Sequence, residues 1–268
     1  MPDSDAPSQF YTGLVADLYE PLAGEHARAA EYSGFLDRSG TPALELGCGA
    51  GRPILELREQ GYDVEGLDAS ADMLERCRAA AAARGVEVVL HHAEMQSFAL
   101  GKRYRTIFLA GASFTLLTSD DDARRALACI HAHLEPGGSA LIPLELLDVE
   151  RLQKYVGHGR ETTGAAGERL SFTMLSAEVE PGGDGRTIRR RLRYERTRPG
   201  QATEVVERDW RTRDWSQARF AELLAAAGFS QVRFRSPGGG PAAPDARVFV
   251  ALARRSAGGT ANAANAIP

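Results

Sequence analysis

Seven residues, Glu45-Leu46-Gly47-Cys48-Gly49-Ala50-Gly51, concentrate the features needed to hold a charged small molecule. Glycines alternate after an expected strand (43–46) and before an expected helix (53–60), and that setting makes a glycine motif informative. Glycine permits positive φ and puts no side chain in a ligand's way. The loop falls at the carboxyl end of a strand, where open α/β sheets bind ligands. Two more acids follow the next expected strands. Asp68 is placed to accept from both hydroxyls of a ribose. Glu94, within Ala93-Glu94-Met95, is placed to accept from an adenine amino group while the backbone reads a ring nitrogen.

Two cofactors compete for this pattern. A dinucleotide site wants GxGxxG and rests a pyrophosphate on a helix N-terminus. Here the third glycine, Gly51, comes one residue early, and Arg52 holds the position that GxGxxG requires. GxGxG with Glu45 two residues ahead suits S-adenosylmethionine (SAM), which has no phosphate to cradle; the product would be S-adenosylhomocysteine. Asp68 alone does not discriminate, because NAD sites use a similarly placed acid.

The elements that must position these residues alternate. Beyond the first strand and helix, the pattern predicts strands at 63–67, 86–91 and 104–109 and helices at 71–84 and 121–134. Pro136-Gly137-Gly138 then turns into a strand at 140–143. Such alternation implies right-handed crossovers and a largely parallel sheet. After 147 the rhythm breaks. Runs at 170–180, 187–198 and 203–211, separated by Pro181-Gly182-Gly183 and Pro199-Gly200, predict antiparallel strands. A helix at 216–227 and strands at 231–235 and 247–253 resume the first pattern. Before it all lies an amphipathic segment, 10–36, broken near Pro21 and Gly24. The expected units are a helical cover (1–40), a cofactor-binding domain (41–147 and 212–255), an antiparallel insertion capping the substrate (148–211) and a disordered tail (256–268). Residues 1–9 are polar and expected to be mobile.

Composition excludes several classes. The 268 residues are 43% hydrophobic and 25% charged, with a net charge of -4, ordinary for a globular protein. No basic face suggests nucleic acid. The arginine-rich run at 186–198 is interrupted by Glu195 and reads as a solvated strand face. Cys48, Cys77 and Cys129 form no CxxC pair, so neither a zinc site nor a disulfide framework is expected. Without an apolar span or a signal-peptide core, a cytoplasmic protein with no membrane partner is expected.

The stretch 42–143 resembles the class I SAM-dependent methyltransferases. Glu45 to Gly51 matches their first motif. Gly66-Leu67-Asp68-Ala69-Ser70 with Asp72-Met73-Leu74 matches the ribose motif and the helix behind it. Ala93-Glu94-Met95 matches the adenine motif, with Glu94 where Asp is usual, and Leu134-Glu135-Pro136-Gly137-Gly138 matches the turn before the fifth strand. The resemblance implies an α/β fold: a Rossmann-like, doubly wound, seven-stranded mixed sheet with an N-terminal helical cover and an antiparallel β insertion. It implies SAM contacts from Tyr19, Glu45, Gly47, Cys48, Gly49, Gly51, Asp68, Ala69, Met73, Ala93, Glu94, Met95 and Ala110.

A looser resemblance covers most of the chain. Tyr11-Thr12-Gly13-Leu14-Val15-Ala16-Asp17-Leu18-Tyr19-Glu20 is similar to the opening of bacterial N-methyltransferases that finish aminosugars and related antibiotic precursors, including lincosamide-type ones. So are Phe98-Ala99-Leu100-Gly101, the insertion, and Gly238-Gly239-Gly240-Pro241. This implies that Tyr11 and Tyr19 lie over cofactor and acceptor, with Tyr11 the catalytic, acceptor-contacting residue. Aminosugar enzymes of this type carry a histidine where Leu116 stands, so the acceptor here is expected to be a small molecule and less securely an aminosugar. Side chains of 110–117 are expected to face the methyl group, with Phe114 either an apolar substrate wall or core.

Methyl transfer is an SN2 displacement on a sulfonium and needs alignment more than functional groups. Orientation alone can supply about 7–11 kcal/mol in favourable cases, so no metal is expected. An amine needs only a hydrogen bond from a tyrosine, whereas an alcohol wants a firmer base. The histidines offer no clear base. His158 is placed to line the acceptor pocket, and His91 or His92 to point into the adenine pocket; His26, His131 and His133 lie on covering helices. Trp210, Arg213 and Trp215 either wall the pocket or staple the insertion to the core. N-methylation is the favoured reading. Alternatives are an O- or C-methyltransferase using His158 or a carboxylate, a non-catalytic SAM binder, or an oxidoreductase. An oligomer through the insertion is possible.

Overall fold

Short buried runs build a central sheet, and two flanking modules close over one end of it. The computed structural model describes residues 7–22, 27–181 and 185–257. His26, Gly182, Gly183, residues 1–6 and the tail at 258–268 lie outside the described residues. In chain order the elements are α1 (Pro7–Phe10), α2 (Leu14–Leu22), α3 (Ala29–Ser39), β1 (Ala43–Leu46), α4 (Ile54–Glu59), β2 (Val64–Asp68), α5 (Ala71–Arg84), β3 (Leu90–His92), β4 (Tyr104–Phe108), α6 (Asp120–His133), β5 (Leu134–Glu145), α7 (Val149–Gln153), β6 (Gly159–Thr163), β7 (Arg169–Val179), β8 (Thr187–Thr197), β9 (Glu204–Arg213), α8 (Gln217–Ala226), β10 (Phe229–Arg235) and β11 (Val248–Arg255).

The main sheet runs β10-β11-β5-β4-β1-β2-β3. β1 pairs in parallel with both β2 and β4, and β11 runs antiparallel between β5 and β10. The expected α/β, Rossmann-like, seven-stranded mixed sheet is therefore present. Strand order reverses between β1 and β4, so the loops leaving these strands part and open a crevice. β1 is buried along its whole length. Leu44 and Leu46 face a core shared with α6 and α8, whereas Ala43 faces one shared with α3, α4 and α5. Alternation puts Glu45 on the Ala43 side.

A second sheet, β6-β7-β8-β9, is antiparallel throughout. Its apolar face, with Leu170, Met174, Leu192 and Tyr194, receives Leu14, Val15, Leu18 and Leu22 of α2. Both ends of the insertion are stapled to the core. Asp214 accepts from the Leu147 amide (3.0 Å) and from Arg186 Nε (2.7 Å). Arg213 pairs with Asp120 at 2.6 Å and stacks on Trp215.

Some elements differ from expectation. The third strand is Leu90–His92 instead of 86–91, because β3 is an edge strand whose pairing with β2 begins only at Gly66. Val89, just before it, is 54% exposed. Pro136-Gly137-Gly138 does not separate helix from strand. It is a bulge inside β5, where the partner register jumps from Tyr104–Leu134 to Thr106–Ser139. β6 and α7 were not anticipated; β6 is mostly exposed and polar and shows no alternation to read. Residues 7–10, expected to be mobile up to residue 9, form α1, with Phe10 buried against Trp210.

Candidate active site

The loop after β1 turns because Gly47 and Gly49 adopt φ of 70° and 52°, which residues with a Cβ resist. Gly51, with φ of 107°, serves packing as well: a Cβ there would lie 2.8 Å from Leu55 Cδ1. The expected SAM contact at Gly51 is thus a helix-seating position outside both cavities described below.

Asp68 braces this loop from the end of β2. One carboxylate oxygen accepts from the Gly49 amide and the other from the Ser70 amide, both at 2.8 Å. Burial raises its pKa, and these backbone hydrogen bonds oppose the rise. Each oxygen keeps a lone pair for a hydroxyl. Glu45 is wholly buried, and neither oxygen has a hydrogen-bond partner among the described residues. Burial, and then the Asp68 charge, push its carboxyl well above the usual range. A buried carboxylate without a partner is costly, and a ligand ammonium would relieve it.

Two cavities meet at the loop. The smaller, about 110 Å³, is lined by Asp68, Ala69, Met73, Ala93, Glu94, Met95, Gln96, Leu116 and Leu117. Its two acids, Asp68 and Glu94, beside the apolar Met73, Met95, Leu116 and Leu117 suit an adenosine. The larger, about 420 Å³, is lined by Cys48, Ala50, Ala110 and Gly111 on the sheet side. Opposite them stand Phe172, Leu192, Tyr194 and Trp210 of the insertion, with Leu18 and Glu20 of α2. Tyr11, Tyr19, Gly47, Gly49 and Ser113 line both. The Tyr11 and Tyr19 rings meet edge to face, 5.5 Å apart. Burial, first, raises the pKa of both tyrosines, so both are neutral hydroxyls at physiological pH. The same cause raises the Cys48 thiol, leaving it unreactive.

The cover is latched to the cofactor side. Ser70 Oγ donates to the Tyr11 carbonyl (2.6 Å), and the Gly13 amide donates to Asp72 (2.6 Å). Asp17 of α2 bridges Arg76 of α5 and Arg196 of β8. One carboxylate thereby joins cover, main domain and insertion.

Several expected site residues lie elsewhere. Phe114 is fully buried between Trp215 and Phe220 in the α6/α8 core and does not wall the substrate cavity. The short 3-10 turn at Ser113–Leu116 rotates it inward. The same turn sends Leu116 to the adenosine side, so residues 110–117 do not all face the methyl group. His158 is exposed, hydrogen-bonds the Val156 carbonyl at 3.2 Å and lines neither cavity. His91 pairs with Glu65 (2.8 Å) and His92 with the Ala69 carbonyl (3.0 Å), so neither enters the adenine pocket. Of the three insertion residues weighed together, Trp210 walls the large cavity, while Arg213 and Trp215 staple. Ser113, within the 110–117 stretch, lines both cavities, whereas Gln96 and Tyr32 were missed. Tyr32 Oη donates to the Ala110 carbonyl at 2.7 Å and fixes that cavity wall; nothing local in the sequence marks it.

The family described as "Methyltransferase domain" matches residues 43–138. The dTDP-3-amino-3,6-dideoxy-alpha-D-glucopyranose N,N-dimethyltransferase of Streptomyces fradiae is 28% identical over 241 residues, spanning 87% of this chain and 89% of that protein. The dTDP-4-amino-2,3,4,6-tetradeoxy-D-glucose N,N-dimethyltransferase of Saccharopolyspora spinosa is 28% identical over 213 residues, 75% of this chain and 79% of that one. The fold is that of the CcbJ methyltransferase from Streptomyces caelestis, with a TM-score of 0.69, 21% identity, and 90% and 96% of the two chains covered. Among the described residues no helix is long and apolar enough to cross a membrane. The early glycine, Asp68 at the end of β2, the orphaned Glu45 and the small cavity lined by Asp68 and Glu94 all fit SAM, and the dinucleotide reading falls. Residues 43–138 match a methyltransferase domain, and the cofactor of the enzyme is S-adenosylmethionine.

Proposed function

We propose that the enzyme methylates an amine nitrogen of a small secondary metabolite, such as an antibiotic precursor, held in the larger cavity. Two of its relatives are named as N,N-dimethyltransferases of amino sugars. The observation that carries the reading is the lining of that cavity. Its described residues include no histidine or aspartate, and its one glutamate, Glu20, is paired with Arg52 at 3.3 Å. An alcohol would find no firm base there, whereas a neutral amine needs only orientation.

Bound SAM supplies the electrophilic methyl group. The chain supplies position. Glu45 and the glycine loop would hold the amino-acid end, Asp68 the ribose, and Glu94 with Met95 the adenine, while Tyr19 would cover the join. Tyr11 Oη, a neutral hydroxyl at the meeting of the two cavities, would accept a hydrogen bond from the acceptor N–H and orient the nitrogen for transfer. α2 and the insertion exclude water, which raises the effective concentration of aligned reactants. In this reading residues 1–40 are the cover, 41–147 and 212–255 the cofactor domain, and 148–211 the acceptor cap.

The test incubates enzyme and SAM with a panel of amino-sugar and other small amines and matching alcohols, reading products by mass. Mass gain of one or two methyl groups on amines is expected. SAM binding with methylation confined to alcohols or carbon acids would overturn the nitrogen assignment.

A further inference from the structure

The wall that the cover and the insertion give the large cavity is built mainly from rings. The cover brings Tyr11 and Tyr19. The second sheet brings Phe172 from β7, Tyr194 from β8 and Trp210 from β9. Phe172 and Tyr194 are direct cross-strand partners, and their rings lie 6.0 Å apart. Trp210 is held by three neighbours: Phe10 at 5.2 Å, Tyr11 at 6.2 Å and the Arg190 guanidinium, 4.4 Å from its centroid. Arg190 itself lines neither cavity. The basic run expected to be a solvated strand face thus uses one of its arginines to brace an aromatic wall.

Polar groups on this wall are few. Glu20 and Arg52 answer each other at 3.3 Å, and Arg160 reaches the Leu22 carbonyl at 3.5 Å. Besides Arg160, the insertion adds one hydroxyl, that of Tyr194, since Trp210 Nε1 is buried. A sugar ring presents several hydroxyls, and each that enters without a partner weakens binding about tenfold. An apolar ring meets no such cost and gains by leaving water. Edge-to-face contacts with aromatic neighbours favour an aromatic ring further.

We propose that the acceptor is an arylalkylamine, its aromatic ring packed against Phe172 and Trp210 while its nitrogen reaches Tyr11. The 6.2 Å between the Tyr11 and Trp210 rings calls for a short linker between ring and nitrogen. The proposal rests on the amine-methylating reading and narrows its substrate class, away from the amino sugars in the relatives' names. Phe172 then sets specificity from the insertion without touching the cofactor, because it lines the large cavity alone.

The test offers phenethylamine, cyclohexylethylamine and glucosamine to the full chain with SAM, reads initial rates by product mass and compares kcat/KM per unprotonated amine. Phenethylamine should exceed glucosamine by roughly tenfold or more, and cyclohexylethylamine by a smaller factor. Phe172→Ala should raise the KM for phenethylamine roughly tenfold and leave kcat within about twofold. Phe172→Leu should recover part of that loss, and Phe172→Asn should shift preference toward glucosamine. Val205→Ser, at an exposed position on the neighbouring strand β9, should behave as the unaltered protein does. SAM affinity should hold in every variant. Preference for glucosamine or for a nucleotide-linked amino sugar, or an unchanged KM in Phe172→Ala, would overturn the proposal and leave nitrogen methylation standing. Methylation of none of the three amines would also overturn it. Methylation confined to the matching alcohols would overturn the nitrogen reading as well.

Discussion

Replacing Glu45 by glutamine should make the free protein more stable and its cofactor site weaker. Glu45 is wholly buried with both oxygens unpartnered, and its nearest charged influence is another acid, Asp68. At neutral pH the fold must bury that charge or take up a proton. The second route caps the cost at about 3–4 kcal/mol at pH 7 for a carboxyl of ordinary pKa. Glutamine removes the cost and keeps the shape. An unfolding entropy of about 2.1 cal/mol/K per residue over 268 residues converts ~3 kcal/mol into a Tm rise of about 5 °C. The sign with pH follows from the raised pKa. The folded state keeps the Glu45 proton where the unfolded chain has released it. Stability from this group is therefore full below the ordinary carboxylate range and is lost as pH rises through the folded pKa. Glu45→Gln should flatten that part of the profile. It should also weaken SAM roughly tenfold or more, since a charge-assisted hydrogen bond to the ammonium is lost. Thermal melts from pH 5 to about 8 and SAM calorimetry check both. A variant with unchanged Tm, unchanged pH slope and unchanged SAM affinity would refute the argument.

Asp68→Ala should weaken SAM by roughly a hundredfold, the worth of two charge-assisted hydrogen bonds, with a near-native far-UV spectrum; calorimetry decides it. Tyr11→Phe should lower kcat about tenfold while SAM affinity stays within about twofold, and equal losses would make Tyr11 a cofactor lid only. Phe114→Ala should cost about 3–5 kcal/mol of stability by opening a core cavity, measured by denaturant melts. Its SAM affinity should not change, because the ring faces neither cavity.

The alternation of strands and helices and the order of the loop motifs were legible in the chain because both are local. A buried parallel strand needs an apolar run, and a ligand loop at its end needs glycine. That placed Glu45, Asp68 and Glu94 at successive strand ends without any coordinates. β6 stayed hidden because an exposed polar edge strand carries no period.

What the sequence determined by itself was the cofactor half: the spacing of Gly47, Gly49 and Gly51 and the acids flanking them. The acceptor half was decided only by tertiary structure. Tyr11, the 110–117 stretch and Trp210 were candidates in the sequence, but Leu192, Tyr194 and Phe172 join them only through the folding of the insertion over the cavity, and no interval in the chain relates them. Phe114 and His158 show the converse. Both have plausible chemistry and suitable neighbours in sequence, yet one turn of 3-10 helix buries the first and an exposed loop carries the second away. The two faces of β8 belong to the same class. Arg189 and Arg190 are adjacent in the chain, and only the pleat and the partner strands decide which guanidinium meets a carboxylate and which turns toward the cavity's aromatic wall.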